Sequence, residues 1–391
     1  LTEFNRTCPS CGSAYCRALP APHPTRSMIS DGAVVWKQLK RSTCLECGHG
    51  FHVEALTEQD VIEIYNDEYS IGLRDPSAEV ARSVEYDRQL RDFLELQLNG
   101  DVNFSKIVEF GCGSGSLLNR LTANLDAQIG VGVEPSAKVA AYAQSIADER
   151  VSIQLGYAEQ FSDLVQRATL CVSVNVIEHA LDPISFLQAC ARTIDETGKI
   201  LIVCPDSETV GSELLFYDHV SNFTAKSLST IAAKAGLTVI ANAPLLGPLS
   251  GFRIYLLRGG SGQFTTQICD FTSLADERED YLGTWSKIDG AIGQLLSGQE
   301  YAVFGAGEYS DLLHAYSPSV IDEAMFFVTD WPMIGSLFNK PVISTEEFLK
   351  STPIPLIAAV NERNWEVLHK RSELTAILLI HPFELTSQEA S

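Results

Sequence analysis

The chain has 391 residues, 45% of them hydrophobic, enough for two or three domains with packed cores. Its 28 Lys and Arg stand against 50 Asp and Glu, and the net charge of −22 argues against nucleic acid or an anionic membrane as partner, leaving a small molecule as the expected substrate. No run of 18 apolar residues and no signal-peptide pattern is present, and a cytoplasmic setting is expected.

Five of the ten cysteines fall within the first 47 residues. The others (Cys112, Cys171, Cys190, Cys204 and Cys269) are scattered along strand-like and helix-like segments. That distribution suits a reducing compartment with a metal site in front, rather than a disulfide framework. Cys8-Pro-Ser-Cys11 and Cys44-Leu-Glu-Cys47 are two C-x-x-C pairs separated by 32 residues. Each is followed by a glycine, Gly12 or Gly48, which permits a tight turn. Four thiolates so arranged match a closed, structural zinc site. Cys16, His49 and His52 do not fit the paired spacing. A strand-like run over Ala33–Leu39 completes an expected zinc-ribbon-like module over residues 1–56.

Residues 57–100 read as a helical linker. Tyr65-Asn-Asp-Glu-Tyr69 is aromatic and acidic. A helix is predicted from about Ser77 to Leu98, with Val80, Val84, Leu90, Phe93 and Leu94 at helical spacing, and Asn99-Gly100 stops it.

Residues 101–258 alternate strands (106–110, 129–133, 151–155, 170–174 and 199–204) with helices, which predicts a parallel doubly wound sheet. Strands at Leu237–Ile240 and Phe252–Leu257 follow a helix at about 224–235 and suit an antiparallel edge. The first strand runs into Glu109-Phe-Gly111-Cys-Gly113-Ser-Gly115, and the second ends in Glu134-Pro135. A glycine turn at a helix start presents backbone N–H groups to a ligand, and an acid at the end of the next strand can take both hydroxyls of a ribose. A nucleoside-bearing cofactor is implied. The third glycine comes too early for the dinucleotide pattern G-x-G-x-x-G, and Glu109 suits a cationic ligand better than a diphosphate.

This turn resembles the first motif of class I S-adenosylmethionine methyltransferases. The resemblance implies S-adenosyl-L-methionine as cofactor, bound through Glu109, Gly111, Gly113, Gly115, Glu134 and Pro135. It also implies Ala158 and Glu159 beside the adenine, and Asn175 and Val176 beside the methionine end. Within Asn175-Val-Ile-Glu-His179, His179 is either a polar group of the substrate pocket or a histidine packed under the sheet. After the fifth strand, Tyr217-Asp218-His219 falls on a loop over the same sheet edge. A histidine near a carboxylate suits proton abstraction near neutrality; the bland alternative is a histidine anchoring a lid.

Residues 259–300 read as a connector. A smaller α/β nucleotide-binding-like domain is expected over 301–391, opening with Tyr301-Ala-Val-Phe304 and Gly305-Ala-Gly307. Its next strand, Ala324–Val328, ends near Asp330, and further strands are expected at Pro355–Val360 and Thr375–Ile380. Ser310 stands where a dinucleotide fold has its third glycine, which counts against a nicotinamide cofactor.

In this order the cysteine pairs, the linker, the methyltransferase motif and the last domain resemble the zinc-containing sugar C-methyltransferases of deoxysugar and antibiotic biosynthesis. That resemblance implies a nucleotide-linked 4-keto sugar, C3 deprotonation by His219, and attack of the enolate on the cofactor methyl. Tyr69 would hold the enolate oxygen or pack. The family's loop reads His-Glu-His, so Tyr217 replaces a histidine and Asp218 is a shorter acid. Two alternatives stay open: an O- or N-methyltransferase of another metabolite, and a non-catalytic cofactor-binding scaffold.

Overall fold

The computed structural model describes residues 6–64, 76–161, 167–260 and 269–388. Tyr69 lies outside them. The chain divides into two compact units. One comprises Leu1–Ala18, Arg41–Leu214 and Asp218–Ala275; the other comprises Leu19–Lys40, Leu215–Tyr217 and Asp276–Ser391. This grouping cuts across the boundaries expected from sequence. Residues 19–40, expected inside an N-terminal module of 1–56, group with the C-terminal part of the chain, and the strand expected over 33–39 is only Val34–Val35, paired with Ser27–Met28.

The first unit is built on seven strands. We label them β1 (Lys106–Phe110), β2 (Ile129–Glu134), β3 (Val151–Leu155), β4 (Ala168–Val174), β5 (Ile194–Pro205), β6 (Leu237–Pro244) and β7 (Phe252–Gly259). Their order is β6-β7-β5-β4-β1-β2-β3, with β1 to β5 parallel and β7 antiparallel to both of its neighbours, β5 and β6. The strands were legible because a sheet covered on both faces needs apolar residues in both directions. Along β5, Ile200, Ile202 and Cys204 enter one core, and Leu201 and Val203 enter the other. The strand order reverses between β1 and β4, and such a switch point opens a crevice at the carboxyl ends of the strands.

The helix Pro76–Gln97 covers one face through Tyr86, Leu90, Phe93 and Leu94. Val80 and Val84, placed on its apolar stripe by spacing, are 47% and 45% exposed. Ser83 between them is buried, and the apolar residues of this helix that enter the core begin at Tyr86.

The cysteine segment forms a second, four-stranded sheet in the same unit. Its strands are Cys16–Ala18, Arg41–Cys44, Gly50–His52 and Ser221–Asn222. The last of these comes from the chain that follows Asp218-His219.

The second unit holds a six-stranded sheet: Ser336–Leu337, Lys340–Ser344, Phe327–Thr329, Ala302–Phe304, Leu356–Ala358 and Leu379–Ile380, in that order. All pairings except the first are parallel. Helices Thr272–Trp285 and Ile288–Leu295 occupy much of the expected connector. Among the described residues no helix is long and apolar enough to cross a membrane.

Candidate functional site

Two groups of side chains meet the crevice at the switch point. The first surrounds the glycine turn. Gly111, Gly113 and Gly115 all have positive φ (69°, 51° and 73°). The Gly111 and Cys112 amides donate to the Val133 carbonyl, which ties the turn to β2. A Cβ on Gly111 would lie 2.2 Å from Val176 Cγ2, whereas a Cβ on Gly113 would meet nothing within 4 Å. Gly111 is therefore a packing glycine, and the backbone at Gly113 faces open space.

Glu134 is buried and accepts from the amides of Gly113 (3.1 Å) and Ser136 (2.9 Å). Glu109 is buried beneath the turn, and its Oε2 has no hydrogen-bond partner. Burial pushes the Glu109 carboxyl well above the usual range, and Glu79 and Glu134 push it further. Burial also raises Glu134, against the two amide hydrogen bonds. Stacked acids around an orphaned oxygen are costly unless a cation joins them. The donor set fits a cofactor with a cationic sulfonium and amino end and a ribose.

Asn175, at the end of β4, holds a left-handed backbone (φ 56°) and donates to Tyr86 Oη at 3.1 Å. Asparagine tolerates that conformation better than most residues. Val176 sits against Gly111, Ala158 is buried in the core, Pro135 is half-buried and Glu159 is exposed.

The second group forms beside the first. The turn Ile177–His179 and the segment Asp218-His219 bring two histidines together, with ring centroids 4.8 Å apart and edge to face. His179 Nδ1 lies 3.0 Å from the Asp218 carbonyl oxygen and 3.6 Å from its carboxylate. His219 is 5% exposed. Burial, then His179 and Arg41, hold its pKa well below the ordinary histidine value. His179 is the more accessible of the pair. The structure brings His179 together with Asp218 and His219. Tyr217 is buried and groups with the second unit, its amide donating to Met28.

Two residues of this site carried no assignment from sequence. Glu178 is 2% exposed, its Oε2 has no hydrogen-bond partner, and burial pushes its carboxyl up to about 7 against the pull of His179. Arg41 is fully buried and donates to the Leu214 carbonyl and to Asn222 Oδ1, which braces the chain on both sides of Asp218-His219. A glutamate opening a short turn resembles any helix-start acid, and a lone arginine before C-x-x-C has no local pattern. Neither signal was readable without the fold.

The sulfurs of Cys8, Cys11, Cys44 and Cys47 lie within 4.8 Å of one another, with Cys8–Cys47 at 3.6 Å and Cys11–Cys44 at 3.5 Å. A tetrahedral zinc with sulfur ligands spaces them by roughly 3.8 Å, so the cage fits that ion. The module is fastened to the start of the helix Ala225–Lys234, which follows the histidine loop. Thr224 Oγ1 donates to the Cys47 carbonyl (2.6 Å), and Ser10 Oγ to the Ser227 carbonyl (3.0 Å).

Residues 81–242 match a family model described as a methyltransferase domain. This segment is a class I S-adenosylmethionine-dependent methyltransferase domain. Over 110 residues the chain is 36% identical to a ubiquinone biosynthesis O-methyltransferase of Azorhizobium caulinodans. That match takes 27% of this chain and 42% of the relative, so the chain spans less than half of the relative's length. Among solved structures, it is similar to the O-methyltransferase NcsB1 of neocarzinostatin biosynthesis (22% identity, 51% of this chain, 66% of that chain, TM-score 0.35). It is also similar to the magnesium protoporphyrin IX methyltransferase of Synechocystis PCC 6803 (16% identity, 50% of this chain, 92% of that chain, TM-score 0.37). Glu109, the glycine turn, Glu134, His179 and His219 all lie inside the matched segment of the methyltransferase domain. The four cysteines and residues 301–391 lie outside it.

Proposed function

We propose that the chain methylates a nucleotide-linked keto-deoxysugar, with S-adenosyl-L-methionine as donor and C3 as acceptor, through an enolate formed by a histidine base. The observation that carries this reading is the buried His219 packed edge to face against His179, which itself lies beside Asp218, at the carboxyl edge of the sheet. Transfer to a hydroxyl needs a base, and a carbon acceptor needs in addition a donor for the enolate oxygen.

The Gly113 backbone, Glu134 and Glu109 would hold the cofactor, which supplies an electrophilic methyl group on a sulfonium. His219 accepts the C3 proton beside the ketone. Asp218, against His179, orients that ring and stabilises the charge that passes to the pair. Tyr69 would donate to the enolate oxygen or pack. The cage of Cys8, Cys11, Cys44 and Cys47 would hold a structural zinc that keeps the strand Ser221–Asn222, and with it the histidine loop, in place. The relative that is named for O-methylation supports a second reading, a hydroxyl acceptor on another metabolite.

The test is incubation with methyl-labelled S-adenosylmethionine and a panel of nucleotide-linked 4-keto sugars, read by mass and NMR. A labelled methyl on a ring carbon is expected. A label on oxygen alone would replace the first reading by the second. His219→Gln should lower turnover by about 10²–10⁴-fold and leave cofactor affinity unchanged.

A further inference from the structure

We infer that Glu178, His179 and His219 form a divalent-cation site, separate from the four-cysteine cage and composed of one carboxylate and two imidazoles. One ligand atom from each residue lies within 4.8 Å of the others. An ion with N and O ligands at about 2.0–2.2 Å holds such atoms roughly 3–4 Å apart, so small side-chain rotations close the cage. The second observation is Glu178 itself. It is 2% exposed, and its Oε2 has no hydrogen-bond partner although it sits beside two imidazoles. A buried carboxylate oxygen left without a partner costs free energy that a cation would recover.

The surroundings fit the same reading. His179 meets the Asp218 carboxylate and carbonyl through Nδ1, the arrangement by which carboxylates orient metal-bound imidazoles. Glu178 and Asp218 outweigh the Arg41 guanidinium, which is engaged with Leu214 and Asn222. Two imidazoles and one carboxylate suit borderline divalent ions such as zinc, cobalt, iron or manganese rather than calcium. Three protein ligands leave positions open for substrate oxygen or water.

The inference rests on the side-chain geometry and not on the acceptor assigned above. It does have a consequence for that reading. A lone pair on His219 cannot hold a metal ion and take a proton at once, so loading this site withdraws His219 from proton transfer.

The experiment is cobalt titration of the full chain after its cysteine cage has been loaded with zinc. One cobalt per chain is expected, with weak visible bands and no thiolate-to-cobalt charge transfer. Glu178→Gln and His219→Gln should each lose it, and Asp218→Asn should weaken it by about 10–100-fold. Equal cobalt content in the unmutated protein and in folded Glu178→Gln would overturn the inference. Should the variants not fold, the unmutated protein still decides. No cobalt beyond the cysteine cage, or cobalt with thiolate bands only, would equally overturn it. Neither readout involves methyl transfer, so failure here is distinct from failure of the sugar reading.

Discussion

Gly111 and Gly113 sit two residues apart in one turn, both with positive φ, yet alanine should act on stability at the first and on ligand binding at the second. At either position alanine takes on a left-handed backbone cost of about 1–2 kcal/mol. At Gly111 the new methyl would also lie 2.2 Å from Val176 Cγ2, well inside the roughly 3.5–4.0 Å of a normal carbon contact. Val176 is β-branched and stiff, so relief requires movement of the chain or an overpacking cost of about 1–3 kcal/mol. Gly111→Ala should therefore lose about 2–5 kcal/mol of stability in a urea titration. Gly113→Ala meets no atom within 4 Å, so it should lose only the backbone part. Its methyl instead occupies the open space assigned to the cofactor, so affinity for S-adenosylmethionine by calorimetry should fall by at least about tenfold, or about 1.4 kcal/mol. Adding Val176→Ala to Gly111→Ala should restore the overpacking part, giving a coupling of about 1–3 kcal/mol in the double-mutant cycle. The reasoning is refuted if the two single variants are equally stable, or if Gly113→Ala binds the cofactor as tightly as the unmutated protein.

The other predictions concern the acids and the cysteine sheet. Glu109 and Glu134 have raised pKa values in the ligand-free fold, and the cationic, hydroxyl-donating cofactor favours their ionised forms; cofactor affinity should therefore fall with acid well above the usual carboxylate range, and a flat calorimetric profile from pH 5 to pH 8 would count against this. For stability the sign is opposite: a buried acid whose folded pKa lies above its unfolded value of 4.5 favours the fold fully below that value, and the contribution is lost as pH rises through the folded pKa. Glu109→Gln should accordingly melt higher than the unmutated protein at neutral pH without ligand, and bind the cofactor less well. Cys8→Ser should lose one bound zinc by mass spectrometry and about 3–5 kcal/mol of stability, and equal metal content would remove the cage. Arg41→Met leaves the Leu214 carbonyl and Asn222 Oδ1 without that donor and should cost about 2–4 kcal/mol, with turnover falling more than cofactor affinity as the histidine loop loosens.

The sequence showed the parts whose physics is local. Buried parallel strands read as continuous apolar runs, and Gly111 to Gly115 could take positive φ where other residues resist it. Paired cysteines declared a cage because four thiolates need that spacing. What escaped was decided at long range. Val80 and Val84 have the spacing of a core face, yet both are exposed and the core contacts of the helix begin at Tyr86. Residues 19–40 lie between the cysteine pairs in sequence yet pack with residues 276–391. Glu178 was in plain view beside His179, but its burial follows from the turn after β4 and from the return of the chain at His219, more than forty residues later by count from the sequence. Asn222 joins the cysteine sheet because Ser221–Asn222 pairs with Gly50–Phe51, which no periodicity announces.

The second glycine turn shows how far such a pattern carries. Gly305-Ala-Gly307 also follows a buried strand, and Asp330 also comes at the end of the next one. In both turns the first glycine is closed by packing: Gly111 by Val176, and Gly305 by the Ala359 carbonyl, 2.5 Å from where a Cβ would be. In both turns the second glycine faces open space. The acids differ. Glu134 accepts from backbone amides, which leaves its charge uncompensated and buried. Asp330 receives both oxygens' worth of Arg371 Nη1 (2.8 and 2.9 Å) and the hydroxyl of Thr345 (2.8 Å). Arg371 is itself fixed over the Phe304 ring at the turn. An acid so neutralised has little to offer ribose hydroxyls, and the residue matching Glu109 by position is Val303, which has no charge for a cationic ligand. Arg371→Ala should free Asp330. If the second turn is a nucleotide site held shut, that variant gains measurable affinity for NADH or a nucleoside diphosphate. If the turn is a packing device, as its partners indicate, the variant loses stability and binds neither.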